Sequence, residues 1–275
     1  MSRRRAATYQ LLTNRDTCVE RASELRGGHV HSVRDLEAVK SEIAPRTLMV
    51  ASRNCVPLPK LPSGATLNLE SPGWGANSRE WGGKLSTGGR VWPGAAAMCQ
   101  LLLTLQPDVK NSHVLELGCG TGAAGLFAAA LGAQRVLLTD GQAPETQLAA
   151  LNARRHAELL ADGARVDARQ YRWGHSVREL LEVSGGFDFV LGADILYSDE
   201  TLPPLCDTIR DLRESGGVGG GAPRVLLAHQ TDRHGESDIP KLLGLVAAGR
   251  GLELQPYEGD VDVAPNVALY ELAYT

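Results

Sequence analysis

Downstream of about residue 110, short apolar runs bounded by turn residues alternate with longer stretches whose apolar positions recur every three or four residues. The first pattern reads as buried strands and the second as helices packed by one face. It predicts strands at 113–117, 135–139, 166–171, 187–192, 225–228, 252–256 and 267–274. Helices are predicted at 122–131, 143–160, 200–213 and 238–248, and Gly216 to Gly221 reads as low-complexity punctuation. Strands that alternate with helices belong to a parallel sheet covered on both faces. The last two strands have no helix between them, so the final one should run antiparallel. The expected fold class is α/β: a doubly wound, mostly parallel seven-stranded sheet with an antiparallel last strand, plus an N-terminal extension.

Upstream the rhythm is less regular. Residues 93–103 form a helix apolar on most sides, with Pro93 in its first turn and Gln106-Pro107 ending it. Leu67 and Leu69 alternate within Thr66 to Glu70, which predicts a strand, and the glycines and tryptophans (Trp74, Trp81) between Pro72 and Arg90 suggest a hairpin or long bent strands. Ser32 to Asp35 has the form of a capping box, and Val33, Leu36, Val39 and Ile43 keep helical spacing until Pro45. The proline-rich stretch Pro57 to Pro62 reads as a connector. The chain thus divides into an extension, 1–64, and a body, 65–275, that begins with a hairpin at about 65–92.

Composition changes this picture little. Hydrophobic residues make up 43% and charged residues 22% of 275, ordinary for a globular chain, and no run is apolar enough to span a membrane. Cys18, Cys55, Cys99, Cys119 and Cys206 are scattered, and the seven histidines equally so. That predicts neither a disulfide framework nor a metal, and a reducing compartment. Charge is more informative. Residues 1–60 hold 11 Lys+Arg against 6 Asp+Glu, and the remainder 17 against 26. An acidic body with a basic arm favours a cationic ligand over nucleic acid, unless these are simply solvated faces. The Arg3-Arg4-Arg5 start resembles a targeting peptide, but Asp16, Glu20 and Glu24 interrupt it early, so the expectation is a cytoplasmic, monomeric protein.

The chemistry concentrates at Val114-Leu115-Glu116-Leu117-Gly118-Cys119-Gly120-Thr121-Gly122, with Asp140 ending the next strand. Strand, glycine turn, helix and a carboxylate-tipped strand make a nucleoside-binding βαβ unit, and Asp140 is placed to accept from ribose hydroxyls. Gly120 to Gly125 also satisfies the dinucleotide fingerprint G-x-G-x-x-G. Glu116 tips the choice, because a carboxylate at the strand end repels a pyrophosphate but suits the sulfonium and amine of S-adenosylmethionine. As an alternative, Glu116 is a buried carboxylate capping backbone amides. Asp194 and Tyr197, after strand 187–192, fall across the crevice, where they would flank an incoming amine. Trp92 and Trp173 offer indole faces to an adenine or a methionine chain. His229 and Gln230 either line an acceptor channel or satisfy a loop, Arg233 and His234 read as surface, and Trp74 and Trp81 as a hairpin staple.

The glycine string resembles motif I of the class I, seven-stranded methyltransferases. Val91-Trp92, Glu116-x-Gly118-x-Gly120, Trp173-Gly174 and Asp194-x-x-Tyr197 together resemble the family 16 protein lysine methyltransferases, over about 91–200. The resemblance implies S-adenosylmethionine as cofactor and a lysine-bearing, non-histone protein as substrate, in cytosol or nucleus. It also implies that Trp92, Gly118, Cys119, Gly120, Asp140, Trp173 and Ala193 line the cofactor, with Asp194 and Tyr197 at the acceptor. Two other readings stay open: a small-molecule N- or O-methyltransferase on the same fold, and a non-catalytic cofactor-binding interaction protein.

Overall fold

The computed structural model describes residues 56–232 and 239–275. The helix expected at 33–43, the basic start, and Arg233 and His234 lie outside the described residues. A hairpin of two-residue strands, β1 (Asn77–Ser78) and β2 (Gly83–Lys84), precedes α1 (Pro93–Thr104) and the single turn α2 (Gln106–Val109). There follow β3 (His113–Leu117), α3 (Ala123–Leu131), β4 (Arg135–Asp140), α4 (Ala143–Arg155) and β5 (Arg165–Gln170). Next come α5 (Arg178–Ser184), β6 (Phe189–Ala193), α6 (Leu202–Glu214), β7 (Arg224–Gln230) and α7 (Ile239–Ala248), then β8 (Leu252–Pro256) and β9 (Val267–Tyr274).

The seven strands β3 to β9 lie in the order β5-β4-β3-β6-β7-β9-β8. The first five are parallel, and β9 inserts antiparallel between β7 and β8. The α/β reading therefore holds, with the antiparallel last strand placed one position inside the edge. Strand residues alternate between two apolar layers, as a sheet covered on both faces requires. Val114, Val136, Leu138, Leu191 and Leu226 pack under Met98, Leu101 and Leu102 of α1 and Leu126 and Phe127 of α3. Leu115, Leu117, Leu137, Val190 and Leu227 pack under α5, α6 and α7 through Leu180, Leu205, Ile209 and Leu243.

Chain order reverses between β3 and β6, so the crevice at their carboxyl ends is the switch point where open α/β sheets bind ligands. Two consecutive loops, after β3 and after β6, open into it.

Four local expectations change. Residues 66–70 are extended but join no strand, although Leu67 is buried. Side chains meet part of their backbone instead: Asn152 Oδ1 accepts from the Glu70 N–H at 2.8 Å, its Nδ2 donates to Glu70 O at 3.1 Å and Thr121 O at 2.9 Å, and His156 Nε2 lies 3.1 Å from Asn68 O. The helix expected to stop at Gln106-Pro107 does stop, at Thr104, and Pro107 then sits in the separate turn α2. The long helix expected at 143–160 stops at Arg155, with a 3-10 turn at Ala157–Leu159. Helix α5 was not predicted, its seven residues being too few to show a period. The supposed connector at 57–62 contributes Leu58 and Leu61 to the core. Trp81 packs with Leu85 and Leu148, fastening the hairpin to α4.

Candidate active site

At the end of β3, Glu116 is 2% exposed and points to the α3 side of the sheet. Its Oε2 accepts the Gly125 N–H at 2.8 Å, so the carboxylate caps the first turn of α3. Burial, only partly offset by the amide bonds, pushes its carboxyl up to about 8. Gly125 itself is dictated by packing: a Cβ there would meet Leu138 Cδ2 at 2.3 Å and Glu116 Oε2 at 2.8 Å. The capping alternative raised for Glu116 is thus what the structure shows, and it bears on the ligand. A dinucleotide site needs those helix amides for its pyrophosphate, and here a carboxylate already holds them.

Gly118 and Gly120 have φ of 63° and 49°, and Cβ atoms there would approach Ile195 Cγ2 and Gly88 O to 2.7 Å each. Only glycine lets the loop pass this close to its neighbours. Asp140, ending β4, accepts from the N–H groups of Gly120 and Gln142 at 3.0 Å each. Burial, with Glu145 nearby, pushes it up to about 6. The Cys119 thiol is buried and pushed well above its ordinary range by burial and by the Asp140 and Glu116 carboxylates, which leaves it a lining group and not a nucleophile.

On the neighbouring strand, Asp194 follows β6 in a left-handed conformation, φ 55°. Its Oδ2 accepts the Gly94 N–H at 2.5 Å and its Oδ1 the Gln230 N–H at 2.8 Å. Asp194 therefore ties the start of α1 to the end of β7 as well as facing the cavity. Tyr197 is 50% exposed at the mouth. Burial of its ring edge and the Asp140 charge raise its phenol, which keeps the hydroxyl protonated at neutral pH.

A strap, residues 86–92, covers the glycine loop. The Ser86 N–H and Oγ both bond Glu145 Oε1 at 2.5 Å, and the Trp92 Nε1–H donates to Thr87 O at 2.9 Å. The Arg90 guanidinium lies 3.3 Å above the Trp92 ring centroid.

These pieces enclose one cavity of about 720 Å³, within the usual range for small-molecule sites. Trp92, Glu116, Gly118, Cys119 and Gly120 line it from the strap and β3; Asp140, Trp173, Ala193, Asp194 and Tyr197 line it from the other strand ends. The residues assigned to cofactor and acceptor by the resemblance, and Glu116, all line it, whereas His229 and Gln230, offered for an acceptor channel, do not. His229 is fully buried on β7 and not part of that wall, Gln230 meets Asp194 through its backbone, and Trp74 is 79% exposed elsewhere. Glu145, Asn152, Arg90 and Gly94 were missed. Glu145 and Asn152 lie on α4, away from any motif, while Arg90 and Gly94 flank Trp92 and owe their roles to contacts, Arg90 with that ring and Gly94 with Asp194, distant in the chain.

The donor set fits a cationic nucleoside. Two carboxylates line the cavity beside the glycines, Glu145 lies buried nearby, and the Gly125 amide of α3 is taken by Glu116. Among the described residues no cluster of His, Cys, Asp and Glu could hold a metal ion, and no helix is long and apolar enough to cross a membrane.

The family model described as lysine methyltransferase, family 16, matches residues 77–243. The chain belongs to this family. The matched span runs from the hairpin into α7 and contains the whole crevice. Relatives include the protein N-lysine methyltransferase METTL21A of Danio rerio, 38% identical over 143 residues, which are 51% of this chain and 62% of the relative. The METTL21A of Xenopus tropicalis is also 38% identical, over 46% of this chain and 56% of its own length. EEF1A lysine methyltransferase 3 of Mus musculus is 33% identical over 174 residues, 63% of this chain and 71% of the relative. The chain thus spans under two thirds of the length of both METTL21A relatives.

Proposed function

We propose that this protein is an S-adenosylmethionine-dependent methyltransferase that modifies a lysine side-chain amine of a protein. The observation that carries the reading is the crevice itself. The glycine loop with Glu116, the tip of β4 at Asp140, and Asp194 with Tyr197 after β6 all line one cavity. Glu116, Gly118, Cys119, Gly120, Asp140, Trp92, Trp173 and Ala193 would hold the cofactor, which supplies an electrophilic methyl group on a sulfonium.

The chain's own contribution is alignment and desolvation, which dominate an in-line displacement. Asp194 is fixed by two amide donors, so its carboxylate is a rigid acceptor that attracts and orients an ammonium. A lysine amine has an ordinary pKa near ~10.4 and must lose its proton before it attacks. Burial beside a second positive charge disfavours the protonated amine and promotes that loss. Tyr197, held as a phenol, donates to or packs against the amine at the mouth.

The names of the relatives, protein N-lysine and EEF1A lysine methyltransferases, support a protein acceptor. Incubation of the purified protein with labelled cofactor and a cell lysate tests this. Label should enter a discrete protein band; label confined to small molecules would favour the small-molecule reading. Cofactor binding without transfer to any component would favour the non-catalytic one.

A further inference from the structure

We propose that Glu145, which stands behind the cavity wall, makes the crevice prefer the charged methyl donor over the uncharged thioether left after transfer, an inference that rests on the crevice being a methyl-donor site. Donor and product differ by one methyl group and by the positive charge of the sulfonium. A buried charge near the cavity can tell them apart without touching either.

Glu145 is in the first turn of α4, 1% exposed, and does not itself line the cavity. Residues that do line it close around this side chain. The Ser86 N–H and Oγ both donate to its Oε1 at 2.5 Å. A Cβ on Gly88 would stand 2.7 Å from Glu145 Cγ and 3.1 Å from Gly120 Cα, so the carboxylate is packed where the strap meets the glycine loop. Its charge is felt at two more wall residues, raising both the Asp140 carboxyl and the Cys119 thiol.

The carboxylates on the wall are already met by backbone donors. Asp140 takes the N–H groups of Gly120 and Gln142, Asp194 those of Gly94 and Gln230, and Glu116 that of Gly125. Glu145 differs: both of its donors come to one oxygen, and the other, Oε2, is buried with no hydrogen-bond partner. A buried carboxylate oxygen left unmet costs free energy. A cation in the adjoining cavity offsets that cost, because Coulomb attraction falls only as the inverse of distance and needs no direct contact. A neutral thioether offers no such relief. Arg90 and Arg172 also line the cavity and oppose a cation there, and a further carboxylate behind the wall shifts the balance back. Loss of the sulfonium charge on transfer then loosens the product at the step where it has to leave.

Calorimetric titration of wild type, Glu145→Gln and Glu145→Ala at pH 7 with S-adenosylmethionine and S-adenosylhomocysteine tests this. Glutamine keeps an oxygen for the two Ser86 donors and removes the charge. Glu145→Gln should therefore weaken S-adenosylmethionine about five- to twenty-fold and leave S-adenosylhomocysteine within about two-fold of wild type. Glu145→Ala also frees the strap, so both ligands should weaken, S-adenosylmethionine by the larger factor. A role confined to holding the strap predicts equal changes for the two ligands in each variant. Such equal changes, or none in Glu145→Gln, would overturn the proposal. Wild-type protein that binds neither ligand would sink the methyl-donor reading beneath it, a result distinct from these.

Discussion

Asp194 Oδ2 accepts the N–H of Gly94, a residue exactly one hundred positions earlier, at 2.5 Å, and a Cβ on Gly94 would stand 2.6 Å from that same oxygen. The first residues of α1, the end of β6 and, through the Gln230 N–H, the end of β7 are thereby locked at one point beside the acceptor. Gly94→Ala forces the carboxylate away from two buried amides. It should destabilise the protein by roughly 2–4 kcal/mol in denaturant titration and reduce methyl transfer with it.

The same lock makes Asp194→Ala an ambiguous probe of chemistry, because it orphans the Gly94 and Gln230 amides. Transfer should be abolished and stability should fall together. Tyr197 separates the two effects, being half exposed. Tyr197→Ala should lower the transfer rate by at least about ten-fold, while stability stays within about 0.5 kcal/mol of wild type and cofactor affinity is kept. Comparison of single-turnover rate, chemical denaturation and cofactor titration for this one variant checks it.

Glu116 and Asp140 give the protein a defined response to pH. Burial raises the folded carboxyls to about 8 and about 6, from ordinary values of 4.5 and 3.8. The folded state then holds protons that the unfolded chain has released. The contribution of these two carboxyls to the stability of the ligand-free protein is full below about pH 4 and is lost as pH rises from there to about 8. Glu116→Gln should flatten the upper part of that decline in denaturation midpoints measured across the range. A cationic ligand favours the ionised carboxylates, so affinity for S-adenosylmethionine should rise with pH over the same interval, and less steeply in Glu116→Gln.

Ser86 and Glu145 hold the strap over the glycine loop. Glu145→Ala releases both the Ser86 N–H and its hydroxyl, and should raise the Michaelis constant for cofactor roughly ten-fold with a smaller change in turnover. Gly88→Ala acts at the same closure, since a Cβ there would approach Glu145 Cγ to 2.7 Å and Gly120 Cα to 3.1 Å. Its cofactor affinity should fall at least as far.

Much of this was legible in the chain because β3, β4 and β6 are buried on both faces and write their strands as apolar runs. Their carboxyl ends and the residues just after them, Glu116, Gly118, Asp140 and Asp194, carry the candidate chemistry. Residues 66–70 misled for a physical reason: alternation at Leu67 and Leu69 reports which side is buried, and Asn152, not a neighbouring strand, meets part of the backbone. Glu116 was found but given too simple a role, since the amides it caps lie nine residues on in α3. Asp194 likewise emerged as an acceptor-side carboxylate, while its partners at Gly94 and Gln230 depend on how three elements converge. No local spacing encodes such a convergence.

The most direct measurement identifies the methylated group itself. After incubation of the protein with labelled S-adenosylmethionine and lysate, the labelled protein fraction is hydrolysed and its amino acids are separated. The expected result is label in methylated lysine, appearing at least about ten-fold more slowly with Tyr197→Ala. Label in another amino acid or in a small molecule, or no transfer despite cofactor binding, would contradict the account.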